Sequence, residues 1–288
     1  MKLVKQSFEF INQTDFSLVG IKKHIERCAR VSYKSEDKIT DTSYEKFVNM
    51  LESRGHDRPL EFGTVHLKLT IDALDLFHET VTTSKVFNNQ WIQWNIEEDS
   101  EDNEYYAYMT TNYRYYLVLL NEAFWLFKYL DSNDSEYYPK RYTVHMILDR
   151  GVMDEFRTHV GLSHLAESTR YCNYSKDKFN NEITFIKPCW VNISTTDRAV
   201  YDASNNGDYF IQALEDAENW YLSLLKEGWT SQQARSVLPL GIKSELISCG
   251  FEDAWENFFK RRDAPDAHPM AQEIAKPMHE EFFKLTRV

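Results

Sequence analysis

Apolar residues recur at helical spacing over several stretches of the chain. Leu18, Ile21, Ile25 and Cys28 share one stripe of residues 18–30, and Phe47, Val48 and Leu51 do the same over 43–51. Strict alternation over Thr64–Thr70 predicts a strand, and Tyr142–Leu148 reads as a second. An apolar stretch from Tyr115 to Leu130 predicts a helix. The C-terminal half is mostly helical in pattern. Ile211, Leu214, Ala217, Tyr221 and Leu225 mark a helix over 209–225, stopped by Gly228. Thr230-Ser231-Gln232-Gln233 has the form of a capping box that opens another helix, ended by Leu238-Pro239. Two more helices are expected over 253–262 and 269–285, with Pro277 kinking or splitting the last. Few strands and many helices give a mixed α/β (α+β) class, a central sheet flanked by helices, in a single domain over 1–288. The segment 85–140, with the acidic run Glu97–Asp102, reads as a peripheral insertion carrying a solvated acidic loop.

Composition narrows the function classes. Hydrophobic residues make up 42% and charged residues 27% of 288, which suits a folded globular chain. No apolar run approaches the roughly 18 residues of a membrane span, and the N-terminus lacks an apolar signal core. The formal charge of −12 argues against a general nucleic-acid surface, because phosphate contacts need clustered Lys and Arg. It leaves room for a small anion held by a few arginines. The cysteines, Cys28, Cys172, Cys189 and Cys249, form no Cys-x-x-Cys pair, so a reducing cytoplasm is the expected compartment. With nine glycines there is no Gly-rich phosphate loop, which disfavours Rossmann and P-loop enzymes.

The densest polar stretch is Arg157–Tyr171, which contains two Arg, two His, two Ser, two Thr and a Glu. Arg offers planar two-pronged contacts to phosphate, with hydroxyls as further donors. A solvated loop followed by a capped helix is the plainer reading, and both stand on composition alone. A Ser-His hydrolase is disfavoured because no G-x-S-x-G elbow is present. A zinc site is disfavoured because His159 and His164 lack a third ligand at a suitable spacing, so no metal is expected.

Asp149-Arg150-Gly151-Val152, His159 and Glu167-Ser168-Thr169-Arg170-Tyr171-Cys172-Asn173-Tyr174-Ser175 together resemble the flavin-dependent thymidylate synthases. Four further blocks resemble that family in the same order: Cys28–Ser35, Gly55–Phe62, Gln233–Leu240 and Trp255–Arg262. The resemblance implies a mixed α/β homotetramer with active sites between subunits. It implies methylation of dUMP to dTMP, with methylenetetrahydrofolate giving the carbon, FAD carrying the hydride and NADPH reducing the flavin. By the same resemblance Ser168 and Arg262 would be catalytic. Glu167, Ser168, Thr169, Arg170, Arg235 and Arg262 would hold the nucleotide, and Arg157, His159, Asn257 and His268 the cofactor. Apart from the resemblance, Arg235 and Arg262 read as helix C-terminal charges.

The chain departs from the family pattern on the flavin side. Thr158 and Val160 stand where the signature has arginines, with Arg157 one position earlier as a substitute. Phe62 stands for a histidine and Phe251 for an asparagine, and either ring is a candidate to stack on the flavin. The alternatives to thymidylate synthesis are hydroxymethylation or hydroxylation of dUMP or dCMP, and a nucleotide-binding pseudoenzyme.

Overall fold

The computed structural model describes residues 1–81, 90–100, 102–170, 172–176, 179–191 and 206–287. Within them the strands are β1 (Lys2–Val4), β2 (Ser7–Phe10), β3 (Thr64–Thr70), β4 (Ile92–Glu98), β5 (Tyr105–Asn112), β6 (Leu130–Asp131), β7 (Arg141–Asp149), β8 (Ser163–Ala166), β9 (Thr184–Ile186) and β10 (Lys243–Phe251). The helices are α1 (Leu18–Tyr33), α2 (Ser43–Ser53), α3 (Ile71–Val81), α4 (Tyr113–Glu122), α5 (Arg150–Phe156), α6 (Asn206–Lys226), α7 (Ser231–Ala234), α8 (Glu252–Arg262) and α9 (Pro269–Leu285).

The class is mixed α/β, but the described residues build two four-stranded sheets where one central sheet was expected. The first has the order β2-β7-β10-β8 and the second β4-β5-β3-β6, both antiparallel throughout, and β1 pairs in parallel with β9. Strand β10 carries no visible alternation because both its faces are covered. Leu246 joins a core with Val144 and Met146 of β7, Trp255 of α8 and Ile274 of α9. Ile247 and Cys249, on the other face, join a second core with Ile21, Ile25 and Cys28 of α1 and Val65 and Leu67 of β3. Helix α1 thus packs on both the first sheet and the turn before the second, capped at its start by the Ser17 hydroxyl accepting from the Gly20 amide.

Of the segment 85–140, the described part, 90–100 and 102–140, is woven into the fold. It supplies β4, β5, α4 and β6, and it buries Ala107, Met109 and Leu119 completely. Peripheral therefore does not describe it: β3 alone has too few partners to cover its apolar face without β5. The expected 115–130 helix divides at Ala123, where the backbone leaves helical geometry and a 3-10 turn over Phe124–Tyr129 carries Leu126 into the core. Of the acidic run, Glu97 and Glu98 are exposed, Glu101 lies outside the described residues, and Asp99 turns inward. Asp99 accepts from Lys68 Nζ at 2.5 Å and from the Tyr108 hydroxyl at 2.8 Å. Pro277 does not split α9, which runs unbroken over Pro269–Leu285. A proline inside a helix costs about 3 kcal/mol. Burial of Met270, Ile274, Met278 and Phe282 on one face of α9 offsets it.

Candidate functional site

The polar stretch from Arg157 begins where α5 ends. Asp149 caps α5 by accepting from the Val152 amide at 2.7 Å. Gly161 takes a φ of 101°, a region that favours glycine, and turns the chain into β8. Pairing of β8 with β10 sets Ser163 opposite Cys249 and His164 opposite Ser248. The stretch is not the solvated loop its composition allowed, for His159, Ser163, His164, Glu167 and Thr169 are all buried. His164 is structural. Its Nε2 faces the His159 carbonyl at 3.2 Å, which only accepts, so Nε2 carries the proton and Nδ1 accepts from the Ser248 hydroxyl at 2.8 Å. Burial pushes this imidazole down to about 4, so it is neutral.

The structure gathers most of the residues expected to hold a nucleotide. Arg235 Nη1 donates to Thr169 Oγ1 at 3.0 Å, and Arg170 Nε donates to Gln232 Oε1 at 3.0 Å. The capping box predicted at Thr230 and Gln233 is present and starts α7, so Gln232 and Arg235 are delivered by a local sequence signal. Arg170 is exposed and Arg235 half-buried. The Ser168 main chain is fixed, its amide donating to the Ser32 carbonyl at 3.3 Å, while its hydroxyl has no hydrogen-bond partner among the described residues. Glu167 differs from its neighbours. Its carboxylate is 1% exposed, accepts from Lys243 Nζ at 2.9 Å and lies 4.0 Å from Lys34 Nζ, so it faces the protein interior. Tyr171 lies outside the described residues.

Arg262 sits apart from this group, with the residues expected on the cofactor side. Its guanidinium donates to the Glu155 carboxylate and, at 2.9 Å, to the Glu155 carbonyl. It also lies 5.8 Å from the Phe156 ring centre. His159 packs edge-on to Phe258 at 5.4 Å. Burial, with Arg262 and Arg261 adding to it, lowers the His159 pKa. Two polar atoms in this corner, His159 Nε2 and Arg262 Nε, are buried without a hydrogen-bond partner among the described residues. Arg157 is exposed and 3.4 Å from Asp154. Asn257 is exposed on α8. His268 caps α9, its Nδ1 accepting from the Met270 amide at 3.3 Å, and it lines a cavity of about 400 Å³ with Asp149, Glu155, Trp190 and Leu240. Burial raises the Asp149 carboxyl above its usual range.

Phe62 and Phe251, candidates to stack on a flavin, are both buried within the protein. Phe62 is 0% exposed in the core beneath α1, and Phe251 is 2% exposed, with Arg141 5.7 Å from its ring centre. Sequence reasoning missed Lys243, Glu245 and Glu155. A period-2 reading of Lys243-Ser244-Glu245 would have placed the first two on one strand face. Glu155 carries no signal of its own beyond lying on α5.

These features define a mixed α/β protein whose buried signature strand leads to an arginine- and hydroxyl-bearing surface. The sequence profile of the thymidylate synthase complementing protein family matches residues 140–286, just over half of the chain, and the chain belongs to that family. The match runs from β7 through α9 and includes every residue expected above to contact nucleotide or cofactor except Phe62. No curated protein matches the chain. Among solved structures, the UMP/dUMP methylase PolB from Streptomyces cacaoi is similar at 16% identity and a TM-score of 0.44, both bound with 5-Br dUMP and bound with 5-Br UMP. The similarity covers 99% of this chain and 93% and 92% of the two solved chains.

Proposed function

We propose that this protein methylates dUMP to dTMP, with methylenetetrahydrofolate as carbon donor, FAD as hydride carrier and NADPH as reductant. The observation that carries the reading is the meeting of two distant family blocks, 167–175 and 233–240, through the Arg235–Thr169 bond. In this reading Arg170 and Arg235 bind the nucleotide phosphate by charge-assisted hydrogen bonds, and the open Ser168 hydroxyl and Arg262 stand against the reacting base. Glu167 acts behind them.

For the flavin, the fit rests on the corner where His159 Nε2 and Arg262 Nε lack partners among the described residues. Arg157, His159 and Asn257 would hold it there, with His268 at the neighbouring cavity. When bound, the flavin supplies the hydride that completes the methyl group. His159 remains a neutral donor or acceptor, and the apolar wall of Phe156 and Phe258 excludes water. The reading includes a homotetramer whose sites are completed across subunits. The chain would then be one domain, with 85–140 an addition to the family core, working in the cytoplasm without nucleic acid or membrane.

A second reading is favoured by one observation. Thr158 and Val160 are uncharged where the family has arginines, and Val160 is 76% exposed, so the flavin side has changed while the nucleotide side is kept. This supports a related modification of dUMP or dCMP. One assay separates the readings: purified protein with dUMP, methylenetetrahydrofolate, NADPH and FAD, with the nucleotide analysed by mass. dTMP supports the first, and a hydroxymethyl or hydroxyl mass the second. Absence of turnover together with a colourless protein that does not take up FAD refutes both and leaves a nucleotide-binding pseudoenzyme. Light scattering that finds only monomer at micromolar concentration counts against both enzyme readings.

A further inference from the structure

Behind the Glu167–Arg170 segment lies a buried ionic cluster drawn from four parts of the chain. Lys243 Nζ, on β10, donates to Glu167 Oε2 at 2.9 Å and to the Glu245 carboxylate. Lys34, the residue that ends α1, reaches the same Glu245 carboxylate and lies 4.0 Å from Glu167. His145 Nε2, on β7, is 2.9 Å from the other Glu245 oxygen. The two lysine side chains are 14% and 17% exposed, and the two carboxylates 1% and 9%. Two ammonium groups thus face two carboxylates, and each buried charge has a partner of opposite sign, the condition under which charges tolerate burial. Lys34 itself adopts a φ of 49° and a ψ of 53°, a left-handed conformation that aims its side chain back at the sheet.

The cluster is adjacent to the proposed nucleotide contacts but offers them nothing directly. Glu167 is too buried to touch a ligand. What it does is fix where the segment leaves the sheet. Pairing of β8 with β10 ends at Ala166, opposite Leu246. Past that point the segment is held by the Glu167 amide on the Glu245 carbonyl at 2.8 Å, the Ser168 amide on the Ser32 carbonyl at 3.3 Å, the Cys172 amide on the Ser168 carbonyl at 3.2 Å, the Cys172 thiol on the Glu167 carboxylate at 3.5 Å, the Arg235–Thr169 and Arg170–Gln232 bonds, and the Glu167 side chain on Lys243. Of these, only the last is an ion pair.

We propose that Lys243 is a positioning residue that sets the place of Ser168, Thr169 and Arg170 by clamping the Glu167 carboxylate to β10. The inference rests on the proposed nucleotide site only for its affinity readout. The position of the segment is a property of the unliganded protein.

The test uses the full chain and four variants: Lys243→Met, Lys243→Arg, Glu167→Gln, and Lys243→Met combined with Glu167→Gln. Amide hydrogen exchange is followed by mass spectrometry on peptides spanning 163–170, with peptides of α9 as an internal control, and dUMP binding is followed by calorimetry. Lys243→Met should speed exchange at 167–170 at least tenfold while α9 is unchanged, and weaken dUMP binding at least tenfold. Lys243→Arg should restore both, since it keeps the charge and the reach. If Lys243→Met fails to fold, the double variant decides, because it leaves neither charge buried alone; it should fold and still exchange fast at 167–170. Unchanged exchange there in Lys243→Met, or in the double variant, overturns the proposal. Failure of the wild-type protein to bind dUMP would sink the nucleotide reading while the exchange result still decides the role of Lys243.

Discussion

Replacing Arg262 with Met tests the geometry of the cofactor-side corner. The native guanidinium makes two hydrogen bonds to Glu155, one to its carboxylate and one to its carbonyl, and passes over Phe156. Its side chain is 16% exposed and that of Glu155 35%. A hydrogen bond to a charged group is worth about 1.5–3 kcal/mol when buried. The partial exposure of Glu155 reduces this, because water screens the pair and solvates the carboxylate left behind. About 1 kcal/mol per bond is a fair value, so the variant should lose about 2 kcal/mol, or about 4–8 °C in Tm. Met keeps an apolar stem against Phe156, so packing loss adds little. If Arg262 also touches the nucleotide, dUMP binding should weaken by about 10- to 100-fold on loss of one charged contact. Arg262→Lys should recover less than half of either effect, since an ammonium does not reproduce a two-pronged contact. Calorimetry and a thermal melt on the same preparations measure both. A Tm within about 1 °C of wild type, or full recovery by Lys, would refute the reasoning.

Three further outcomes follow from other parts of the fold. Gly250→Ala should destabilise by about 1–3 kcal/mol in a denaturant titration, because a Cβ there would sit 2.5 Å from Leu162 Cδ2 and 3.0 Å from the Gly161 carbonyl oxygen. Pro277→Ala, at an exposed position inside continuous α9, should stabilise by about 1–3 kcal/mol; a lower Tm would show that the proline suits a bend in α9. Stability should depend on pH at both ends. Burial alone would raise the Glu245 carboxyl, but His145, Lys243 and Lys34 outweigh it and hold the carboxyl well below its usual range. Its contribution is therefore full above an unfolded value of about 4.3 and is lost as pH falls below that. Burial alone would lower His145, but Glu245 and Glu9 outweigh it and raise the imidazole. Its contribution is full below about 6.5 and is lost as pH rises through the higher folded value. Tm followed from pH 3 to 9 should fall at both ends, and His145→Gln should flatten the alkaline side and, because His145 is one of the groups that hold Glu245 down, soften the fall on the acid side; a wild-type Tm that is flat above about pH 6.5 would contradict the His145 assignment.

Residues near one another in sequence were legible without coordinates. The helices over 18–30, 43–51 and 209–225 and the strand over 64–70 show in their apolar periods, because apolar residues gather on one face of each. The capping box at Thr230 and the Ser168–Arg170 signature are equally local. What tertiary structure decided is what lies on the far side of each local pattern. Strand β10 is buried on both faces because α8 and α9 cover one and α1 the other, and no period survives double burial. The same packing carried Phe62 and Phe251 inside, where sequence had left them open to a ligand. The Arg235–Thr169, Lys243–Glu167 and Lys34–Glu245 contacts join positions 66 to more than 200 residues apart. Such contacts depend on the path of the whole chain, and side-chain chemistry along a single segment does not encode it.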